Sequence, residues 1–328
     1  MGKFLESEKI RQTKFKAESS YFSKAAHKDG LYRGKPRPFC LPSGCAEENL
    51  FINIRQTAPA YFDNFDIKWH DEQNGKPSNH LCDSQVCCVN FLFPFAKKPA
   101  LLTEIFKPVF PNLQEMLPIE NNQYIGFEWI GLENYLGEKI PPNSRRTRGA
   151  NYTSADAIMM FKRSDGRIQI VLIEWKYTES YGNVSLKVAP SGTNRTDIYK
   201  HLYNQTDCPI NKELLDSFDL LFYEPFYQFM RQQLLAHEME KANEMDADIV
   251  NVLHIVPAQN IDFLKITSSK LIKLGETVTD VWKRLVQIEG KFISINTEKL
   301  FYNILTKNLP EIIEWRDYIC KRYSWVNP

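Results

Sequence analysis

The sequence lacks any run of about 18 apolar residues, the length that a membrane-spanning helix needs. Its first residues, MGKFLESEKIRQTKFK, lack the apolar segment of a secretory signal peptide. Low-complexity tracts and internal repeats are also missing. We therefore expect a folded cytoplasmic protein with no membrane partner.

The sequence also lacks a charge excess of either sign, with 41 Lys and Arg against 40 Asp and Glu and a net charge of +1. A globally basic surface that coats nucleic acid is therefore excluded. Any contact with DNA has to come from a local cluster of basic residues.

Cysteine pairs with the CxxC spacing of a zinc knuckle are missing, although the chain has seven cysteines. An odd number of cysteines without a secretory signal argues against a disulfide framework. Two looser groups could supply zinc ligands, namely Cys40-x4-Cys45 and His80-x-Cys82-x4-Cys87-Cys88. Because Cys87 and Cys88 lie in an apolar run, burial as free thiols is the alternative for them.

The most informative segment is a predicted β-hairpin within TSADAIMMFKRSDGRIQIVLIEWKYTE. Two apolar runs, Ala155–Phe161 and Ile168–Trp175, are joined by a polar link that contains Gly166. Charged residues lie inside the apolar ends: Asp156, Glu174 and Lys176. Burial of charges needs a specific reason.

The acid-x-Lys pattern alone is not specific, because Asp66-x-Lys68 and Glu289-x-Lys291 also contain it. Alternation along a strand puts Glu174 and Lys176 on one face and Trp175 on the other. Asp156 shares that face only if the link around Ser164–Gly166 is a three- or five-residue loop or a bulge; a regular two-residue turn would place it on the opposite face.

If Asp156 shares the face, two carboxylates and the backbone carbonyl of Trp175 form a hard oxygen site suited to Mg²⁺ or Mn²⁺. Lys176 could then orient or deprotonate a water molecule, or neutralise charge on a phosphate. The alternative is a buried structural salt bridge between Lys176 and Glu174 or Asp156. His254, in a later apolar strand, is interpreted as a core histidine rather than a ligand.

The predicted fold is a mixed α/β fold. Its core order is helix, strand, strand, strand, helix and strand in a mixed central sheet, with extra helices at both ends. The core elements are Leu81–Phe95, Gln123–Ile130, the two hairpin strands, Glu224–Asn243 and Asp248–Val256. We expect an arm with helical additions (1–80), the core (81–257) and an α/β extension packed on it (258–328). Within the arm, Glu47–Asp63 is predicted to be helical and Asp66–His70 a short strand.

These residues carry a family resemblance. Asp156 on one strand and Glu174-x-Lys176 on the next, followed by a helix and a strand, resemble the PD-(D/E)XK nuclease superfamily, which has the restriction-endonuclease-like fold. The string from Arg148 to Asp156, together with LIEWKYTE, is similar to a bacterial family of restriction endonucleases. Segments between Glu47 and Phe95, such as SQVCCVNFLFPF, fit that family too, so the resemblance extends from Glu47 to Pro257.

The resemblance implies Mg²⁺-dependent hydrolysis of DNA phosphodiester bonds, with Asp156, Glu174 and Lys176 as the catalytic set. One departure is Ala155, which stands where the motif's name has proline. Family members often add another acidic residue. Glu128 is the preferred candidate, with Glu104 and a plain surface role for Glu128 as alternatives.

Three polar residues share one side of the Glu224–Asn243 helix: Gln228, Arg231 and Gln232. They either contact a phosphate, as the equivalent helix does in several family members, or form a solvated helix face. DNA contacts are also predicted for the basic loop at 141–151, from Arg145, Arg146 and Arg148, with a solvated loop as the alternative. The long polar segment 180–216 could add Lys187, Arg195, Lys200 and His201, and could become ordered only on DNA.

The leading hypothesis is a divalent-metal-dependent DNA endonuclease with a restriction or defence role, acting as a monomer or a homodimer. The alternative from another class is a nucleic-acid-binding module of the same fold that does not cleave.

Overall fold

Helices and strands alternate along most of the chain in the computed structural model, which describes residues 2–140, 144–150 and 152–328. The α-helices of the described residues are α1 (Lys3–Glu18), α2 (Thr57–Asn64), α3 (Ser84–Leu92), α4 (Pro99–Phe106), α5 (Thr196–Tyr203), α6 (Phe226–Lys241), α7 (Val278–Leu285), α8 (Thr297–Thr306) and α9 (Ile313–Arg322). The β-strands are β1 (Gly30–Tyr32), β2 (Lys35–Arg37), β3 (Leu113–Leu117), β4 (Ile125–Trp129), β5 (Ala155–Arg163), β6 (Ile168–Trp175), β7 (Ile249–Val256) and β8 (Phe292–Asn296). None of these helices is long and apolar enough to cross a membrane.

A mixed six-stranded sheet forms the centre of the protein, in the order β3-β5-β6-β7-β8, with β4 also paired to β5. Strands β5 and β6 are antiparallel, whereas β6, β7 and β8 are parallel to one another. The predicted mixed α/β fold is confirmed. Strand β3, which was not predicted, pairs antiparallel with the end of β5.

Helices cover both faces of this sheet, as the alternation of β6 requires. Ile173 and Trp175 face a hydrophobic core that includes Phe91 of α3 and Phe301 of α8. Leu172, on the opposite face, joins the core built with α6 and α7. The terminal helices α1 and α9 belong to the first of these cores. The predicted boundaries of the arm, the core and the extension, near residues 80 and 257, stay predictions.

The hairpin register places Asp156 on the face that the site requires. Ala157 pairs with Ile173, so the next position along the same register sets Asp156 opposite Glu174. The N–H of Arg163 donates to the carbonyl of Arg167 at 2.8 Å, which leaves three residues in the loop. Gly166 has a φ of 87°, the left-handed conformation that a three-residue hairpin loop needs. The structure thus shows the three-residue alternative, in which Asp156 shares the face of Glu174.

The structure corrects two predictions in the arm. Asp66–His70 is not a strand: Asp66 has a φ of 51°, and the N–H of Lys68 donates at 2.9 Å to the carbonyl of Arg148 in a loop. The predicted helix Glu47–Asp63 is α-helical only from Thr57 onwards, and 3-10 turns that end at Asn49 and Ile54 precede that helix. Pro59 fits there because the first turn of a helix needs no internal N–H donor.

Candidate functional site

A cleft with a volume of about 1210 Å³ opens at the end of the hairpin where β5 begins and β6 ends. Its lining includes many of the residues selected from the sequence, namely Asp156, Glu174, Trp175, Lys176, Glu128, Gln228, Arg231, Gln232 and Arg195. The fold therefore brings residues from β4, β5, β6, α6 and the 180–216 segment to one place.

Asp156, Glu174 and Lys176 form the floor of this cleft. The N–H of Trp175 donates to Oδ2 of Asp156 at 2.7 Å, and Nζ of Lys176 forms an ion pair with Oε1 of Glu174. Glu174 and Lys176 are 2% and 3% exposed. In a strand the N–H and carbonyl of one residue point to the same side, so the carbonyl of Trp175 lies on the side of Asp156. The hydroxyl of Ser84 donates to that carbonyl at 3.3 Å.

Electrostatics at the floor are set by burial. Burial raises the pKa of the Asp156 carboxyl well above its usual range, and the nearby charge of Glu174 adds to the rise. For Lys176, burial alone lowers the pKa, but the surrounding carboxylates, Glu174 first, outweigh it and the net pKa is raised. Lys176 is therefore a cation at neutral pH.

Glu128 on β4 is a third carboxylate beside the floor. It is 6% exposed, and its two oxygens accept hydrogen bonds from Nε2 of Gln85 at 2.7 Å and from Oγ of Ser154 at 2.8 Å. Burial raises the pKa of this carboxyl. Its φ of 51° is strained for a residue inside a strand, and such strain is often retained at functional sites. The alternative, Glu104, is exposed on α4 and pairs with Lys307.

The predicted face of α6 points into the cleft. Nε2 of Gln232 donates to Oε2 of Glu174 and, at 3.2 Å, to the carbonyl of Ser154. Gln228 accepts a hydrogen bond from the hydroxyl of Tyr181 at 3.4 Å. Gln232 thus holds the Glu174 side chain from the side opposite Lys176.

Arg148, for which a DNA contact is predicted, is held by groups of the protein itself. Its guanidinium forms an ion pair with Glu120 at 2.9 Å, donates to the carbonyl of Phe127 at 2.9 Å, and is only 11% exposed. Arg148 thereby satisfies backbone groups next to the strained Glu128, and its contact with DNA stays a prediction.

The two other arginines of the basic loop also lie outside the cleft lining. Arg146 donates to the carbonyls of Ile130 and Gly131. Arg145 is 77% exposed and pairs with Asp66 at 2.6 Å. Residues 141–143 and 151 of the predicted loop lie outside the described residues.

The 180–216 segment is held against α6 by α5. Arg195 lines the cleft and donates to the carbonyl of Leu186 at 2.8 Å. Lys187 pairs instead with Asp219 at 2.7 Å, and the exposed His201 lines a smaller pocket beside the cleft. Lys200 is exposed and lines neither of these two pockets.

His254 is fully buried, as expected of a core histidine. Its Nδ1 lies 3.0 Å from Oγ of Ser294, and its ring stacks on Phe263 at 5.0 Å between centroids. Burial lowers its pKa well below the usual range, so the ring is neutral.

A histidine–aspartate pair on the wall of the cleft was not predicted. Nδ1 of His70 lies 2.7 Å from Oδ2 of Asp83, whose other oxygen caps α3 by accepting from the N–H of Val86 at 2.8 Å. The hydrogen bond from Asp83 raises the pKa of His70 to about 9. Nothing in the spacing of the sequence pairs Asp83 with His70.

We expect Asp83→Asn to return the pKa of His70 from about 9 toward the ordinary 6.5, because asparagine keeps the helix cap but removes the charge. A raised folded-state pKa means that the pair stabilises the protein below pH 6.5 and that this contribution is lost as the pH rises through 9. The contribution is small because the side chain is 68% exposed. NMR titration of the imidazole checks this, with the exposed His27 as the internal control. A His70 that titrates near 6.5 before the substitution would contradict it.

A mixed α/β sheet with an acidic and lysine-bearing hairpin end in a polar cleft is an arrangement suited to the restriction-endonuclease class. The profile of the family described as "Restriction Endonuclease associating with ARP" matches residues 8–324, and the chain belongs to that family. The predicted membership of a restriction-endonuclease family is thereby confirmed. No curated protein and no solved structure matches the chain significantly.

Proposed function

We propose that the protein is a divalent-metal-dependent endonuclease that hydrolyses DNA phosphodiester bonds in a restriction or defence role. The observation that carries this proposal is the register that sets Asp156 opposite Glu174, with Lys176 beside them, on the floor of a large cleft. The family membership supports a nuclease, and the site chemistry supports the metal and the bond.

The residues present suit Mg²⁺ or Mn²⁺. Asp156, Glu174 and Glu128 bring three carboxylates together beside Lys176, and an excess of buried negative charge is costly without a further cation. Among the described residues, no group of three or more His, Cys, Asp or Glu side chains is arranged to hold a metal. The ligands we propose are therefore Asp156, Glu174 and the Trp175 carbonyl, completed by water, as magnesium prefers.

The metal, when bound, would polarise the phosphate and supply a more acidic water molecule. Lys176, as an ammonium, would neutralise charge that develops on the phosphate and orient the attacking water. Gln232 would keep Glu174 in place through its hydrogen bond, and Ser84 would orient the Trp175 carbonyl. Glu128 would support the site through Ser154, which also accepts from Gln232.

The cleft also offers basic and polar groups to the DNA backbone. Arg231 and Arg195 line it, as does Gln228, and guanidinium groups suit phosphate oxygens. A homodimer would let two sites cut the two strands of a duplex, since one site cuts one strand at a time. The alternative function is a DNA-binding module in which Lys176 and Glu174 form only a structural ion pair.

To test the proposal, the protein is incubated with supercoiled plasmid and Mg²⁺ or Mn²⁺, with and without EDTA. We expect nicked and linear DNA with metal and intact plasmid with EDTA, and Asp156→Asn should cleave no faster than the EDTA sample. A parallel incubation with structured RNA separates DNA from RNA as the substrate. Retardation of plasmid without cleavage would favour the binding module, and full cleavage by Asp156→Asn would refute the site.

A further inference from the structure

Two arginines on the cleft wall pack against one tyrosine ring. Cζ of Arg231 on α6 lies 4.6 Å from the centroid of Tyr227, and Cζ of Arg195 from the 180–216 segment lies 5.4 Å from the same centroid. Tyr227 itself is 6% exposed, so its ring is a fixed support rather than a free stacking surface. Both guanidinium groups are therefore held at the same ring on the cleft wall.

Neither guanidinium has a carboxylate partner within 4 Å in the part of the chain that the structure describes. Arg231 makes one long hydrogen bond, from Nη1 to Oγ1 of Thr153 at 3.4 Å, and its buried Nε has no partner there. The neighbouring Glu138 is already engaged by Thr153 at 2.6 Å and by Tyr199 at 2.8 Å. Glu224 and Glu138 act on Arg231 only through longer-range attraction. A largely enclosed cation with no directly paired carboxylate is unfavourable, so an anion suits this place.

We propose that Arg195 and Arg231 form a phosphate clamp that binds a nucleic-acid phosphate adjacent to the one at Asp156. This inference rests on the proposed function. Arg231 directly precedes Gln232, which contacts Glu174, so the clamp has a fixed position relative to the floor of the cleft. Fork-shaped guanidinium groups bind phosphate oxygens through paired hydrogen bonds, and two of them enclose one phosphate.

Tyr227 is a positioning residue of this clamp. Its ring orders both guanidinium groups before the ligand arrives, which lowers the entropy lost on binding. In this proposal the 180–216 segment has a role in binding, because it lines the cleft beside α6 and supplies Arg195.

The test measures DNA affinity by fluorescence anisotropy in EDTA, where cleavage does not interfere, with a labelled duplex oligonucleotide over a series of salt concentrations. We expect Arg195→Ala and Arg231→Gln each to weaken binding about tenfold. Each should also reduce the slope of log affinity against log salt by about 0.9. The double variant should lose little more than either single variant, because both arginines hold one phosphate.

Arg284→Ala is the matched control, since Arg284 is an exposed arginine on α7 outside the cleft lining. Tyr227→Phe should keep the affinity and Tyr227→Leu should lose it, because only the ring is needed. If a thermal melt shows that Arg231→Gln is not folded, the affinity of Arg195→Ala alone decides whether the clamp exists. An affinity of Arg195→Ala within about twofold of wild type, with an unchanged salt slope, would overturn the clamp.

Two further arms complete the design. Equal binding of oligonucleotides with 5′-hydroxyl and 5′-phosphate ends assigns the clamp to an internal phosphodiester, and a gain from the 5′-phosphate assigns it to a strand end. Arginine-dependent binding without Mg²⁺-dependent cleavage would retain the clamp and refute the nuclease. Mg²⁺-dependent cleavage together with arginine-independent binding would retain the nuclease and refute the clamp. A wild-type protein that binds no DNA would overturn the clamp.

Discussion

Replacing Lys176 by methionine is expected to lower the rate of Mg²⁺-dependent DNA cleavage about a thousandfold, because the buried ammonium is the cation nearest to the two floor carboxylates. Methionine keeps most of the volume of the lysine stem and removes only the charge. The measurement is single-turnover cleavage of a labelled duplex, with the protein in excess over DNA.

The chain contains its own control for this substitution. Lys68 belongs to another acid-x-Lys triplet, pairs with Asp66 at 3.1 Å and is 52% exposed. Lys68→Met should leave the rate unchanged and alter the free energy of unfolding by less than about 1 kcal/mol. If Lys176→Met lost stability but cleaved at the wild-type rate, Lys176 would be a structural ion-pair partner and the catalytic assignment would fail.

Mn²⁺ is expected to stabilise the protein by about 2.7 kcal/mol at a concentration one hundred times its dissociation constant, because the proposed ligands come together only in the folded protein. Asp156→Asn should abolish this gain, since it removes a ligand. Without metal, the same variant should be at least as stable as wild type, because it relieves the repulsion between Asp156 and Glu174. Thermal unfolding and isothermal titration with Mn²⁺ measure both effects.

The control for the metal experiment comes from the same hairpin. Asp165 lies in the exposed loop and pairs with Arg163 and Arg167 at 3.1 and 2.8 Å. Asp165→Asn should bind Mn²⁺ as wild type does. Undiminished Mn²⁺ binding by Asp156→Asn would place the ion elsewhere and contradict the proposed ligand set.

The parts of the fold that the sequence predicted are those with strong local periodicity. The hairpin, α6 and β7 each bury a continuous apolar pattern, so their residues specify the element without help from the rest of the chain. Strand β3 escaped prediction because LQEML contains two exposed polar residues and is held by pairing to β5 rather than by its own pattern.

The sequence predicts only those parts of the site that depend on the alternation of side chains along the two hairpin strands. The loop length around Gly166 decides the face of Asp156, and the sequence left that length open between two alternatives. The position of Arg148 depends on carbonyls of β4 that a positive φ at Glu128 leaves open, which no sequence pattern reveals. The pairing of His70 with Asp83 depends in the same way on how the arm folds back on α3.

The packing behind Trp175 ties the cleft to the far end of the chain. Trp175 separates Glu174 from Lys176, and its ring lies against Phe91 at 5.1 Å and Phe301 of α8 at 6.2 Å. A substitution at Phe301 can therefore tilt the strand end that carries both charged groups without touching the cleft. The C-terminal helix α8 therefore belongs to the mechanical support of the cleft floor, although it contributes no residue to the cleft lining.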